Sequence, residues 1–142
     1  MTTKTYLEQI KTYDRMIENK LFDIYRMTSL ACGMTVAPKQ DKVQTSQSGD
    51  KIVNAVIKIM EYENDVNRLV GEMIEKKQHI IDQIDGIGNS DFSNVLTWRF
   101  VNLKSFDDMP VILKMSRSKM FYVYKKALAT FEQKYGYEYK NK

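Results

Sequence analysis

A single cysteine, Cys32, excludes an internal disulfide and fits a reducing compartment, with a buried, unreactive thiol as the simplest expectation. Only two prolines and six glycines occur in 142 residues. So few turn formers predict long uninterrupted elements, and the content of Lys, Glu, Ile and Met predicts that these are helices. The one histidine, His79, lies in the charged run Glu75-Lys76-Lys77-Gln78-His79 with no cysteine or serine placed beside it as a nucleophile. It reads as a solvated helix residue. Glu72, Glu75, Asp82 and Asp85 recur at helical intervals with no second ligand cluster, so they read as a polar face and no metal is expected. Gly86-Ile87-Gly88 is a helix stop rather than a phosphate cradle. No enzymatic activity and no cofactor is expected. No segment reaches the roughly 18 consecutive apolar residues of a membrane span, and Met1-Thr2-Thr3-Lys4 opens no apolar leader, so a cytoplasmic protein without a membrane partner is expected.

What the chain does have is basic charge, unevenly placed. Residues 1–90 carry 12 basic and 13 acidic side chains, whereas residues 91–142 carry 10 and 5. Between Met109 and Phe131 there is no acid, yet Lys114, Arg117, Lys119, Lys125 and Lys126 fall there. A solvated basic face is the plain reading; a polyanionic partner is the functional one.

The periodicity predicts an all-α chain: a long antiparallel, coiled-coil-like hairpin over residues 1–88, then a three-helix, helix-turn-helix-like domain over 89–142. In the first helix, from about Thr3 to Gly33, the apolar stripe runs through Leu7, Ile10, Ile17, Leu21, Ile24 and Ala31. The polar segment from Val36 to Gly49, with Pro38, reads as an exposed loop. From Asp50 to about Asp85 a 4,3 spacing links Ile52, Val56, Ile59, Glu63, Val66, Val70, Met73, Lys77, Ile80 and Ile84. Setting Ala31 opposite Ile52 places Lys20 opposite Glu63 and Asp14 beside Arg68. The same helix could instead pair with a second copy, giving a homodimer.

Three short helices are expected after the Gly86-Gly88 break. Ser90 caps one that covers about Asp91 to Asn102; Ser105-Phe106-Asp107-Asp108 opens the next; Ser116 caps the last, which Gly136 ends. That last helix would bury Met120, Val123, Ala127, Leu128 and Phe131, and expose Ser118, Lys119, Tyr122, Lys125 and Lys126. Arg117 and Lys119 occupy its first turn, where the helix dipole disfavours cations by typically about 0.3–1 kcal/mol. Cations at that end suit a helix that inserts its N-terminus against DNA.

Val95-Leu96-x-x-Arg99-Phe100, Lys104-Ser105-Phe106-Asp107-Asp108-Met109, Ser116 and Lys126-Ala127-Leu128 resemble region 4 of sigma-70 factors in order and spacing. Over nearly the whole chain, Tyr6-Leu7-x-x-Ile10, the segment from Val36 to Ser46, and Gly49-Asp50-Lys51-Ile52 resemble small phage and prophage proteins related to late-gene regulators of the ArpU and RinA type. The resemblance implies a phage-encoded transcriptional regulator that works in the bacterial host cytoplasm. Its partners would be double-stranded DNA, host RNA polymerase or both. Arg117, Ser118, Lys119 and Tyr122 would reach bases or nearby phosphates, Lys125 and Lys126 would hold the backbone, and Lys114 is also expected among the DNA-binding residues. Two positions depart from the pattern. Pro110 is expected inside the supporting helix, where it would cost about 3 kcal/mol or bend it, and Lys114 stands where the turn usually has glycine. A chain that has lost DNA reading and binds or inhibits a host protein (polymerase, a repressor or a defence factor such as a CRISPR effector) is the alternative. Met109 to Leu113 would then be its apolar contact.

Overall fold

The computed structural model describes residues 1–31 and 46–141, with side chains for 1–30 and 49–141. The protein is all-α, with helices α1 (Thr3–Ala31), α2 (Ser46–Asp85), α3 (Ser90–Leu96), α4 (Met109–Leu113) and α5 (Arg117–Tyr135). A π turn (Thr97–Val101) extends α3, and a 3-10 turn (Gly136–Glu138) follows α5. Cys32 and the loop expected from Val36 lie outside the described residues up to 45, as do the side chain of Ala31 and its pairing with Ile52. The Ser46–Gly49 end of that expected loop is helical, so α2 starts four residues before Asp50. Gly49 costs only about 1 kcal/mol relative to alanine, too little to stop a helix of 40 residues.

Two compact units form: Met1–Asp14 with Ile74–Lys142, here the core unit, and Arg15–Met73, the hairpin unit. The boundary expected at residues 88/89 falls inside the core unit. The reason is packing: Leu7, Ile10, Ile80 and Ile84 share one buried cluster with Val95, Leu96, Met109, Met120, Ala127 and Phe131. The last helices cannot cover their own apolar faces, and the first fourteen residues complete the core.

In the core unit α1 starts where Thr2 Oγ1 accepts from the Thr5 N–H at 3.1 Å. The two long helices run antiparallel there, with the Tyr6 hydroxyl donating to Gln83 Oε1 at 2.8 Å and Lys77 Nζ 2.6 Å from Asp14. Asp14 therefore pairs with Lys77, not Arg68. Arg68 lies 4.0 Å from Asp65 and 3.9 Å from Glu72 on its own helix. The expected register is displaced because apolar burial of Leu7 and Ile10, not charge matching, sets it. Tyr139 closes the core: it is 1% exposed, stacks on Tyr6 at 4.3 Å between centroids, and shares a 2.8 Å hydrogen bond with the Thr3 hydroxyl. Burial and the nearby Glu138 carboxylate push the Tyr6 phenol up to about 12.

In the hairpin unit Val66, Val70 and Met73 are buried, and the Tyr62 hydroxyl reaches the Asp23 carboxylate at 3.5 Å. Toward the α2 N-terminus the expected seam opens, leaving Ile52 and Val56 exposed, as is Leu21 on α1.

His79 is not merely solvated. Its Nε2 lies 2.9 Å from Glu138 Oε2, tying α2 to the 3-10 turn. The bond to His79 holds the Glu138 carboxyl below its ordinary value of 4.5. A depressed carboxyl contributes stability above pH 4.5 and loses it as pH falls through the lowered value. Urea titrations should therefore show Glu138→Gln less stable than wild type by at most about 1 kcal/mol at neutral pH, with the gap closing under acid.

Candidate nucleic-acid interface

The C-terminal helices are built by local chemistry that differs from the sequence expectation in three places. Asn89, not Ser90, caps α3, its side chain accepting from the Phe92 N–H at 3.1 Å. The helix then widens into the π turn, so Arg99 leans over the Phe106 ring, 3.8 Å from its centroid, and donates to the Lys104 carbonyl at 3.0 Å. Arg99 thereby braces the corner where Leu103 adopts φ 57°. Nothing in residue spacing signalled that turn.

Ser105 caps a turn rather than a helix, accepting from the Asp108 N–H at 3.1 Å, and α4 itself begins only at Met109. Pro110 consequently stands in the first helical turn, where its missing N–H has no intrahelical partner to lose and its fixed φ suits the helix. The expected disruption is absent. Met109 is fully buried and anchors α4, while Val111 is 80% exposed.

Lys114 ends α4 in the left-handed region, at φ 56° and ψ 47°. It adopts the conformation a glycine would have supplied. An L side chain there carries strain of about 1–2 kcal/mol, partly offset because glycine is freer in the unfolded chain. Lys114→Gly should thus raise unfolding stability by about 0.5–1 kcal/mol in urea titrations. If the ammonium also serves a polyanion, affinity falls in the same variant.

The Ser116 side chain accepts from the Lys119 N–H at 3.1 Å and starts α5. Met120, Val123, Tyr124, Ala127 and Phe131 are buried along one side, with Tyr124 in a place expected of Leu128, which is only half-buried. Burial pushes the Tyr124 phenol up. Lys114, Arg117, Ser118, Lys119, Tyr122, Lys125 and Lys126 are all exposed. At 100° per residue, Ser118, Lys119, Tyr122, Lys125 and Lys126 fall within roughly one third of the helix circumference. Lys126 Nζ lies 5.6 Å from the Tyr122 ring centroid, which makes an aromatic and cationic surface. Arg117 stands apart from that arc. Its guanidinium pairs with Asp107 at 2.5 Å and sits 5.2 Å from the Phe121 centroid, so one site residue is already engaged.

Short helix α4, a turn through Lys114 and Met115, and capped helix α5 make a helix-turn-helix-like arrangement with one cationic exposed face. The Tyr137 ring is exposed and Tyr139 buried, so the aromatic C-terminal segment packs back on the core at its end. Among the described residues, no group of three or more His, Cys, Asp or Glu side chains could hold a metal ion, and no helix is long and apolar enough to cross a membrane.

No curated protein and no solved structure matches this chain. A family model does match, over residues 35–132, which takes in all of α2, α3 and α4, and most of α5. The chain belongs to that family, described as a protein of unknown function, DUF1492.

Proposed function

We propose that this protein is a phage-encoded transcriptional regulator that binds double-stranded DNA through α5. The observation that carries the reading is the acid-free face on which Lys119, Tyr122, Lys125 and Lys126 stand exposed on a helix whose start Ser116 caps. Among the described residues these lysines pair with no acid, unlike Arg117, which leaves their charge open to backbone phosphates. The resemblance to sigma-70 region 4, and to regulators of the ArpU and RinA type, supports the same reading and adds host RNA polymerase as a protein contact. Lys114 in the left-handed region and Pro110 in a first turn are compatible with a helix-turn-helix geometry and support the same reading.

The test is anisotropy of a labelled duplex titrated with the full chain across a salt series. Binding should weaken linearly on logarithmic axes with a slope of about −3 to −4, one ion released for each phosphate neutralised by these lysines. Absence of binding to mixed-sequence duplex at low salt would overturn the reading. Val111, 80% exposed at the start of the same unit, favours the second reading, a phage protein that grips a host protein through α4.

A further inference from the structure

In the hairpin unit most of the large apolar residues outside the buried stripe share one side, with Met16 and Leu30 of α1 the exceptions. On α1, Phe22 and Tyr25 are 61% and 67% exposed; on α2, Val53, Val56, Ile57 and Met60 are 45–58% exposed. Relative to the buried or half-buried stripe of its own helix, each set is rotated by roughly 120° in the same sense. Because the two helices run antiparallel, equal rotations in one sense bring both sets to the same broad side of the hairpin. Leu21 and Ile52 extend that side at its margins.

The side facing the other way is charged on α2, where Lys58, Glu61, Asp65, Arg68 and Glu72 stand and Arg68 pairs with its neighbours. On α2 one broad side is therefore charged and the other uncharged, while on α1 Arg15 and Glu18 stand beside Phe22 and Tyr25 as a charged margin of the apolar side. About half of each of these eight side chains is open, which leaves roughly 700–800 Å² of apolar surface, more than the 300–600 Å² of the largest patch on a typical monomer.

We infer that this side is a self-association surface, and that its occupant is the same side of a second copy. Three features select that partner. The area is of the order that each protomer contributes to a standard stable dimer, about 800 Å². The α2 residues follow a second 4,3 seam, Val53, Ile57, Met60, Asn64, Asn67 and Gly71, one step round from the seam that faces α1, and none of them is charged, so nothing in it selects a charged partner. Its polar positions are asparagines, whose amide is both donor and acceptor and so satisfies itself across a two-fold axis. Two hairpins joined this way form a four-helix layer. The inference goes beyond DNA binding and does not depend on it: a dimer carries two copies of α5 whether or not they meet DNA.

The test is the solution mass of the full chain by light scattering and sedimentation over a dilution series. Twice the 16.7 kDa chain mass is expected at micromolar concentration. Ile57→Lys with Met60→Lys should weaken the dimer by about 100-fold or more while keeping wild-type helicity by circular dichroism, since both side chains face outward. Glu61→Lys, on the charged side, should leave the mass unchanged. Hydrogen exchange of wild type gives an answer independent of variant folding: on dilution, protection should fall within residues 53–67. A wild-type mass of one chain, or concentration-dependent protection confined elsewhere, would overturn the inference.

Discussion

Replacing Lys119, Lys125 and Lys126 together with alanine is expected to weaken duplex DNA binding by roughly 100-fold at low salt and to reduce the salt slope by about 3. All three side chains are exposed, and none takes part in an ion pair among the described residues, so their loss removes charge without removing packing. Removing equal charge from Lys51, Lys58 and Lys76 on α2, also exposed, should leave both affinity and slope nearly unchanged. That comparison separates a localised interface from a general effect of net charge, which both triple variants lower equally. Anisotropy at several salt concentrations reads both quantities. Equal losses in the two variants would reduce α5 to an ordinary solvated face.

Phe131→Ala should be the most destabilising single change in the core unit, at about 3–5 kcal/mol. Phe131 is fully buried and stands in an aromatic cluster, its centroid 5.0 Å from Tyr135, 6.1 Å from Tyr6 and 6.3 Å from Tyr139. Those rings come from α1, α5 and the residue after the 3-10 turn, and they cannot all collapse into the vacated space at once. A loss of that size is a large share of the 5–15 kcal/mol that holds a domain folded. Thermal melts should show the midpoint falling by about 10 °C or more. Phe131→Leu, which keeps most of the volume, should recover the greater part, with a cost under about 1.5 kcal/mol. A melt for Phe131→Ala within a degree or two of wild type would mean that this cluster is not the centre of the core.

The long helices and the exposed face of α5 were legible because both rest on periodicity, which survives in a bare sequence. The five residues expected to be exposed on α5, Ser118, Lys119, Tyr122, Lys125 and Lys126, are so, and the Ser116 cap forms. What was not legible depended on contacts distant in the chain. The domain boundary misled because Gly86 and Gly88 do end a helix, while Ile80 and Ile84 before them pack into the same core as Phe131 after them. The hairpin register was reasoned from charge pairs, each worth too little to override the burial of Leu7 and Ile10. His79 could not be assigned its partner because Glu138 lies 59 residues away. Pro110 is disruptive only in a helix that starts at Ser105; because α4 begins at Met109, the same residue fits it. Position on the helix says nothing of the partner Arg117 finds in Asp107, ten residues before it and across the turn.

The pairing of Thr3 and Tyr6 with Tyr139 also dictates an order of events during synthesis. Residues 1–14 emerge well before the rest of the core, yet the surface they complete is not finished until position 139 has been made. Until then Leu7 and Ile10 have only part of their final neighbours, and the closing step joins segments from opposite regions of the chain. Contacts of such long sequence separation form late and slowly compared with those inside a helical pair. A fragment beginning after Gly88 would therefore lack Leu7, Ile10, Ile80 and Ile84 together, and the cationic helix α5 is best studied on the full chain rather than on an excised segment.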